Sequence, residues 1–343
     1  MIDDNEVERK ISRHYWLVIY LIMPYINKRF IRKEVRHMDP ATHVLTGIAV
    51  SKLGEQAMSI QNPAFIGIVL GAIAPDFDIV LQKWGDYVYL KNHRGISHSI
   101  IGIIGFAGII TLLLSLFYPE MNGLHVFGWT ICGCLSHIFM DLLNSYGVQL
   151  LWPFYNKKIG FGLFVITDPF VIVMLGLYVV INLERSIFVL MGILLYIVIR
   201  IIMLYSIQYR VKAHFNVSRR SVNVLPAMIS LFNWHFVVRH SQGLIIGEKN
   251  IFNNKIKIIE ELKGIEKKLI DYIVNTKVGK FFTEFTPLYH ITWDEAQKTF
   301  RFIDVRYYIR NTFLHHATAK VSDTFEVIEQ QFHPYSMTKN VKI

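Results

Sequence analysis

Apolar positions are distributed unevenly along the chain. Ser99 to Tyr118 is a run of twenty residues without a charge, the length that carries a helix across about 30 Å of hydrocarbon. Leu124 to Leu143 follows after the short connection Pro119 to Gly123, and Phe164 to Leu183 and Ser186 to Ile207 form a second closely spaced pair. The pattern predicts four transmembrane helices arranged as two hairpins. Arg200 lies in the last span and is expected to extend its stem toward the interface. Val44 to Leu53 and Pro63 to Ala74 are too short to span comfortably and predict short helices that are re-entrant or packed on the bundle. Trp16 to Ile26, broken by Pro24 and followed by a basic stretch, reads as an interfacial anchor or an extra span.

Beyond residue 209 the texture changes to apolar and polar residues in alternation. Trp234 to His240, Leu244 to Glu248, Phe300 to Ile309 and Lys320 to Val327 read as strands. Ile258, Leu262, Ile265, Leu269 and Ile273 recur at three or four residues and predict an amphipathic helix. The expected fold is therefore an α-helical membrane protein of about four spans with a C-terminal cytoplasmic α+β domain. Its expected divisions are an N-terminal extension (1–37), a membrane-embedded domain (38–209) and the C-terminal domain (210–343).

Composition agrees with this division: 52% of residues are hydrophobic and only 18% charged, outside the usual balance of a soluble domain. The formal charge of +10 would suggest a nucleic-acid partner if it were spread evenly. It is not: residues 1–42 carry +2, residues 43–209 carry 0 and residues 210–343 carry +8. Basic residues flank the apolar runs at Lys83, Lys91, Arg94, Lys157, Lys158, Arg210 and Lys212, whereas the opposite loops hold only Glu120, Glu184 and Arg185. The positive-inside rule then makes the basic loops and the C-terminal region cytoplasmic. A basic domain beside an anionic leaflet has membrane phospholipid as its expected partner, and with no zinc-finger, RNP or helix-turn-helix signature no nucleic acid is expected. Cys132 and Cys134 match neither a CxxC pattern nor a disulfide framework.

The neutral middle segment nevertheless contains ionisable residues, which are costly in a bilayer without a partner or a purpose. They are His43, Asp76, Asp78, His93, His98, His137, Asp141 and Asp168. His137 and Asp141 are four apart and share one face of a helix. With antiparallel spans, all eight fall on one membrane side. Imidazole and carboxylate together suit zinc, manganese or iron, and a set of this size suffices for one or two ions. Such a site can polarise an ester or phosphoester, with Asp78 as general base and His98 as a further catalytic residue. Blander readings apply to single members: Asp168-Pro169 is also an N-cap followed by proline at the first helical position, and His137 and Asp141 can make a simple helix-stabilising contact.

In combination the segments Met38–Gly47, Pro75-Asp76-Phe77-Asp78, His93-Arg94-Gly95-Ile96-Ser97-His98, His137 to Asp141 with Asn144-Ser145-Tyr146-Gly147, Leu151-Trp152-Pro153-Phe154 and Asp304-Val305-Arg306-Tyr307 resemble the YdjM-like family of LexA-regulated, membrane-bound metal-dependent hydrolases. The resemblance implies a multi-pass bacterial cytoplasmic-membrane protein and a divalent metal, zinc or manganese, held by His43, Asp76, Asp78, His93, His98, His137 and Asp141. A looser similarity of the His/Asp arrangement to zinc-dependent phospholipase C suggests a phosphoester or lipid ester as substrate. The competing function is a non-catalytic metal-binding membrane protein, either transporter or sensor. The uncharged first span argues against transport, because no polar path continues through it.

Overall fold

The computed structural model describes residues 40–165, 168–228, 230–309, 311–334 and 341–342. The expected extension over residues 1–37 lies outside them. Contacts divide the described chain into two compact units.

The first unit is helical and joins residues up to Phe77 with Ser97–Asp141 and Ile166–Ile199. Helix α1 (Pro40–Leu53) packs on α2 (Pro63–Ile73). The Asn62 side chain caps α2 by accepting from the Ala64 N–H at 3.0 Å, and Pro63 takes the first helical position, where a missing N–H costs nothing. Pro75 cannot continue the α-helical ladder. The chain tightens there into a 3-10 segment, Ala74–Trp84, without turning away. Pro63–Trp84 is thus one of four helical stretches long and apolar enough to cross a membrane, with Ile100–Phe117, Gly123–Leu143 and Glu184–Phe215. Pro63–Ala74, read from sequence as too short, gains its length from the 3-10 extension.

The reverse correction applies to Phe164–Leu183. Phe164 is extended, its N–H bonded to the Leu143 carbonyl at 2.9 Å. Helix α6 begins only at Pro169 and ends at Val180, so it has 12 residues, too few to span. Lys52 closes its far end by donating from Nζ to the carbonyl oxygens of Tyr178 and Ile181, a cation at the negative end of a helix. Helix α4 (Ile100–Phe117) is capped by the Ser99 hydroxyl, which accepts from the Gly102 N–H at 3.1 Å. Ile103, Ala107, Ile110 and Leu114 form its buried stripe, and Ile101, Ile104, Leu112 and Leu116 its exposed apolar face. A helix apolar all round is what a lipid solvent selects.

Helix α5 (Gly123–Leu143) crosses α2 at very short range. A Cβ on Gly133 would stand 2.1 Å from the Ile68 carbonyl oxygen, and one on Gly71 would stand 2.4 Å from that of Thr130. Only glycine permits this approach, and it brings the α2 backbone beside the polar face of α5.

The second unit contains the short helix α3 (Asp86–Asn92), the connection Leu142–Val165 and everything from Arg200 onward. The long helix α7 (Leu183–Phe215) leads into it. One antiparallel sheet is a meander, β1 (Val222–Pro226), β2 (Asn233–His240), β3 (Gly243–Asn250) and β4 (Ile256–Lys263). Alternation along β2 decides its two faces. Trp234, Phe236 and Val238 pack with Ile207 and Val211 of α7, while Val237 joins Ile246, Leu262 and Ile303. Helices α8 (Lys267–Val274) and α9 (Lys277–Phe285) follow, then β5 (Tyr289–Asp294), β6 (Thr299–Asp304), the small hairpin β7 (Tyr308–Ile309) and β8 (Thr312–Phe313), β9 (His315–Val321), β10 (Val327–Pro334) and β11 (Val341–Lys342). The second sheet has the order β11-β10-β9-β6-β5. Its core joins Phe281, Phe282 and Phe285 of α9 to Phe300, Phe302 and Phe332.

Three expectations for this unit change. Ile258 and Leu262 belong to β4, paired with Gly247 and Leu244, and the amphipathic helix begins only at Lys267. A four-residue repeat fits either element, and pairing with β3 decides it. Lys320–Val327 is mostly the turn between β9 and β10, closed by the Ser322 N–H to the Glu326 carbonyl at 2.8 Å. Arg200 does not reach for an interface: it is buried, donates from Nε to the Leu163 carbonyl at 2.8 Å, and lies over the Trp234 ring at 4.3 Å.

Candidate metal centre

Four side chains of the first unit meet around one point: Asp76, His98, His137 and Asp141. Helix α5 presents His137 and Asp141 one turn apart on its inner face, both essentially without solvent exposure. The close α2–α5 crossing adds a backbone partner, the Ala72 carbonyl, to which His137 Nδ1 donates at 2.8 Å. A carbonyl oxygen can only accept, so in the neutral imidazole Nε2 carries the lone pair. His98 arrives from the 3-10 turn Ile96–His98 before α4, with its Nδ1 2.9 Å from the Ser97 hydroxyl. Asp76 comes from the 3-10 extension of α2 and is the member that solvent reaches, with 14% of its side chain exposed.

Nε2 of His137 lies 3.2 Å from Nε2 of His98, and Asp141 Oδ2 lies 3.2 Å from His98 Nε2 and 3.4 Å from His137 Nε2. Asp76 Oδ1 stands 3.5 Å from both imidazole nitrogens. Donor atoms about 2.0–2.2 Å from a tetrahedral ion stand about 3.3–3.6 Å apart, which is the spacing found. The four atoms are two carboxylate oxygens and two imidazole nitrogens, one of them fixed as a lone pair. Such a set, almost entirely buried, calls for a shared cation. The group could hold a divalent metal ion, and an N₂O₂ donor set suits zinc, manganese and iron.

The other expected ligands take distinct places. His43, on α1, stacks on His137 with ring centroids 3.7 Å apart, and its Nε2 is 3.7 Å from Asp141 Oδ1. It therefore lines the group without being one of the four. Asp78 and His93 belong to the second unit and pair there: His93 Nδ1 donates to the Asp78 carboxylate at 2.9 and 3.0 Å, and the Arg94 N–H donates to Oδ2 at 3.0 Å. Asp168 caps α6, accepting from the Phe170 and Val171 N–H groups at 3.1 and 3.3 Å, while its Oδ2 accepts from the Tyr196 hydroxyl at 2.8 Å.

Sequence reading gave no chemical role to a second buried polar centre. In the second unit Arg306 holds Asp304 through Nε at 2.9 Å and Nη2 at 2.8 Å, both residues nearly inaccessible. The Arg306 guanidinium keeps the Asp304 carboxyl below its usual range against the opposing effect of burial. The sequence signal for this pair was the run Asp304-Val305-Arg306-Tyr307, a short charged stretch between apolar residues.

Residues 38–207 match the sequence family described as YdjM inner membrane protein, and residues 268–342 match the YfhP C-terminal alpha/beta plait domain. The chain is 28% identical over 299 residues to the uncharacterized protein YfhP of Bacillus subtilis (strain 168), an alignment that covers 79% of this chain and 87% of that protein. No solved structure matches the chain.

Proposed function

We propose, for a chain whose residues 38–207 match the YdjM inner membrane protein family and whose residues 268–342 match the YfhP C-terminal domain, a metal-dependent hydrolase acting at the cytoplasmic face of the membrane on a phosphoester or a lipid-like ester. The observation that carries this reading is the convergence of Asp76, His98, His137 and Asp141 with tetrahedral spacing in a buried group. A divalent ion held there, zinc or manganese by its ligand chemistry, would supply Lewis acidity to an ester oxygen and to water.

The chain's own residues account for the rest. The Ala72 carbonyl fixes the His137 tautomer, so the ring is aimed before any ion arrives. His43, stacked on His137 and facing Asp141, is the neighbouring imidazole able to take or return a proton at Nε2. Partial exposure of Asp76 marks the side from which a substrate can approach. Asp78, expected as general base, lies in the second unit, where its carboxylate holds His93 Nδ1–H and leaves Nε2 as the accepting atom. The basic loops support a cytoplasmic side for this chemistry by the positive-inside rule.

The test is metal analysis of purified protein joined to turnover of bis(p-nitrophenyl) phosphate and a phospholipid panel. Wild type is expected to carry stoichiometric metal and to turn over at least one ester. Asp141→Asn is expected to lose at least nine-tenths of both while keeping its helical circular dichroism. Stoichiometric metal with no turnover on any ester would reassign the site to metal binding without catalysis.

A further inference from the structure

The long helix α7 changes character toward its C-terminal end without changing face. Met191, Leu195, Val198 and Ile202 are exposed and recur at three or four residues, so they form one apolar stripe along the helix. Tyr205 and Tyr209 continue the same stripe and are also exposed. With Gln208 and Lys212, at the same helical spacing, they line an open cleft of about 530 Å³, which Arg219 closes from the 3-10 turn Arg219–Ser221 beyond the helix. That volume is in the range of small-molecule sites.

Arg219 is held in place before any ligand arrives. Gln208 Nε2 donates to the Val222 carbonyl at 3.0 Å, which turns Oε1 toward Arg219, and Arg219 Nε donates to that oxygen at 2.9 Å. The guanidinium lies over the Tyr205 ring at 4.8 Å. Fixed at Nε and along one face, it keeps both Nη groups uncommitted among the described residues, the fork that matches two oxygens of one phosphate. Lys212 has no hydrogen bond or ion pair among the described residues. No acid of the same stretch competes: none occurs between Glu184 and Glu248, whereas residues 210–220 carry Arg210, Lys212, Arg219 and Arg220.

We propose that this cleft binds an anionic phospholipid, its phosphodiester taken by Arg219 and Lys212 and its acyl chains laid along the stripe from Ile202 toward Met191. A soluble phosphoester would use the two cations and leave the stripe uncovered, whereas a lipid uses both. Tyrosines between an apolar stripe and a basic end are what the membrane interface selects, and basic side chains just beyond a span attract anionic headgroups. The site shares no residue with the His/Asp group and needs no metal.

Calorimetry on the full-length chain in a nonionic detergent with EDTA tests this, referenced to empty micelles, so that the outcome does not depend on the metal reading. The probes are dihexanoyl phosphatidylglycerol, dihexanoyl phosphatidylcholine and glycerophosphoglycerol, the headgroup without its chains. Wild type is expected to bind the phosphatidylglycerol saturably and the other two at least about tenfold more weakly. Arg219→Gln is expected to weaken that binding about tenfold or more, Arg219→Lys, which keeps the charge and loses the fork, to weaken it likewise, and Lys212→Gln to weaken it less. All three changes fall on exposed side chains, as does the control Lys320→Gln on β9, which is expected to change nothing. Absence of saturable binding by wild type, or equal losses in Arg219→Gln and Lys320→Gln, overturns the proposal. So does glycerophosphoglycerol or the phosphatidylcholine binding as tightly as phosphatidylglycerol.

Discussion

At the scale of single residues, two buried histidines of the second unit are held neutral by their surroundings. His315 and His316 are buried in β9, and burial depresses both to about 4. The charges of Arg306 and Lys158 depress His315 further, and those of Arg301 and His333 depress His316, against the Asp304 charge that raises both and the Phe313 carbonyl that raises His316. An unfolded histidine binds its proton near pH 6.5, so between about 6.5 and 4 the unfolded chain holds protons that the folded chain does not. The stability these residues contribute is complete above about pH 6.5 and is lost as pH falls toward 4. Each should cost about 2 kcal/mol between pH 7.5 and pH 5. Thermal unfolding of His316→Gln followed over that range should show a shallower acid decline than wild type. Equal slopes would show that His316 is protonated in the folded protein.

At the scale of elements, helix ends and helix crossings decide which acidic residues can meet a metal. Asp168 spends one carboxylate oxygen on two backbone N–H groups of α6 and the other on Tyr196. Asp168→Ala should therefore lower stability by about 1 kcal/mol, the usual worth of an N-cap, and leave metal content unchanged. Metal loss in this variant at normal stability would make Asp168 a ligand. The α2–α5 crossing works the other way, since Gly133 has no room for a Cβ beside the Ile68 carbonyl. Gly133→Ala should push the helices apart, displace the Ala72 carbonyl from His137 and lower metal affinity, although residue 133 is no ligand. Metal affinity equal to wild type, measured by competition with a chelating dye, would uncouple the crossing from the site.

At the scale of the whole molecule, the zero net charge of residues 43–209 and the +8 that follows belong to different solvents. The exposed faces of α4 and the first part of α7 are apolar, as lipid contact requires, and the basic C-terminal unit carries its own two sheets and phenylalanine core. Positive-inside bias gives the orientation a direct test. In a background with Cys132 and Cys134 replaced by alanine, Ser218→Cys should react with an impermeant maleimide only in inverted vesicles, and Glu120→Cys only in right-side-out cells. Opposite labelling would reverse the side of the membrane on which the proposed hydrolysis occurs.

Read alone, the sequence determined the solvent of each segment and the identity of the polar residues worth watching. Long uncharged runs and strict alternation are local, periodic signals, and an ionisable residue in an apolar segment is conspicuous wherever it folds. His98, His137, Asp76 and Asp141 were legible for that reason. Helix lengths beside prolines and caps were less so: a 3-10 extension lengthened Pro63–Ala74, and a bridge at Phe164 with the cap at Asp168 shortened its neighbour. Tertiary structure alone decided which donors share a point. That choice depends on the depth of the α2–α5 crossing, on the Ala72 carbonyl that orients His137, and on the pairing that joins Asp78 to His93. Spacing along one helix can place two residues on one face. Only packing between elements brings a third and a fourth atom within reach of one ion.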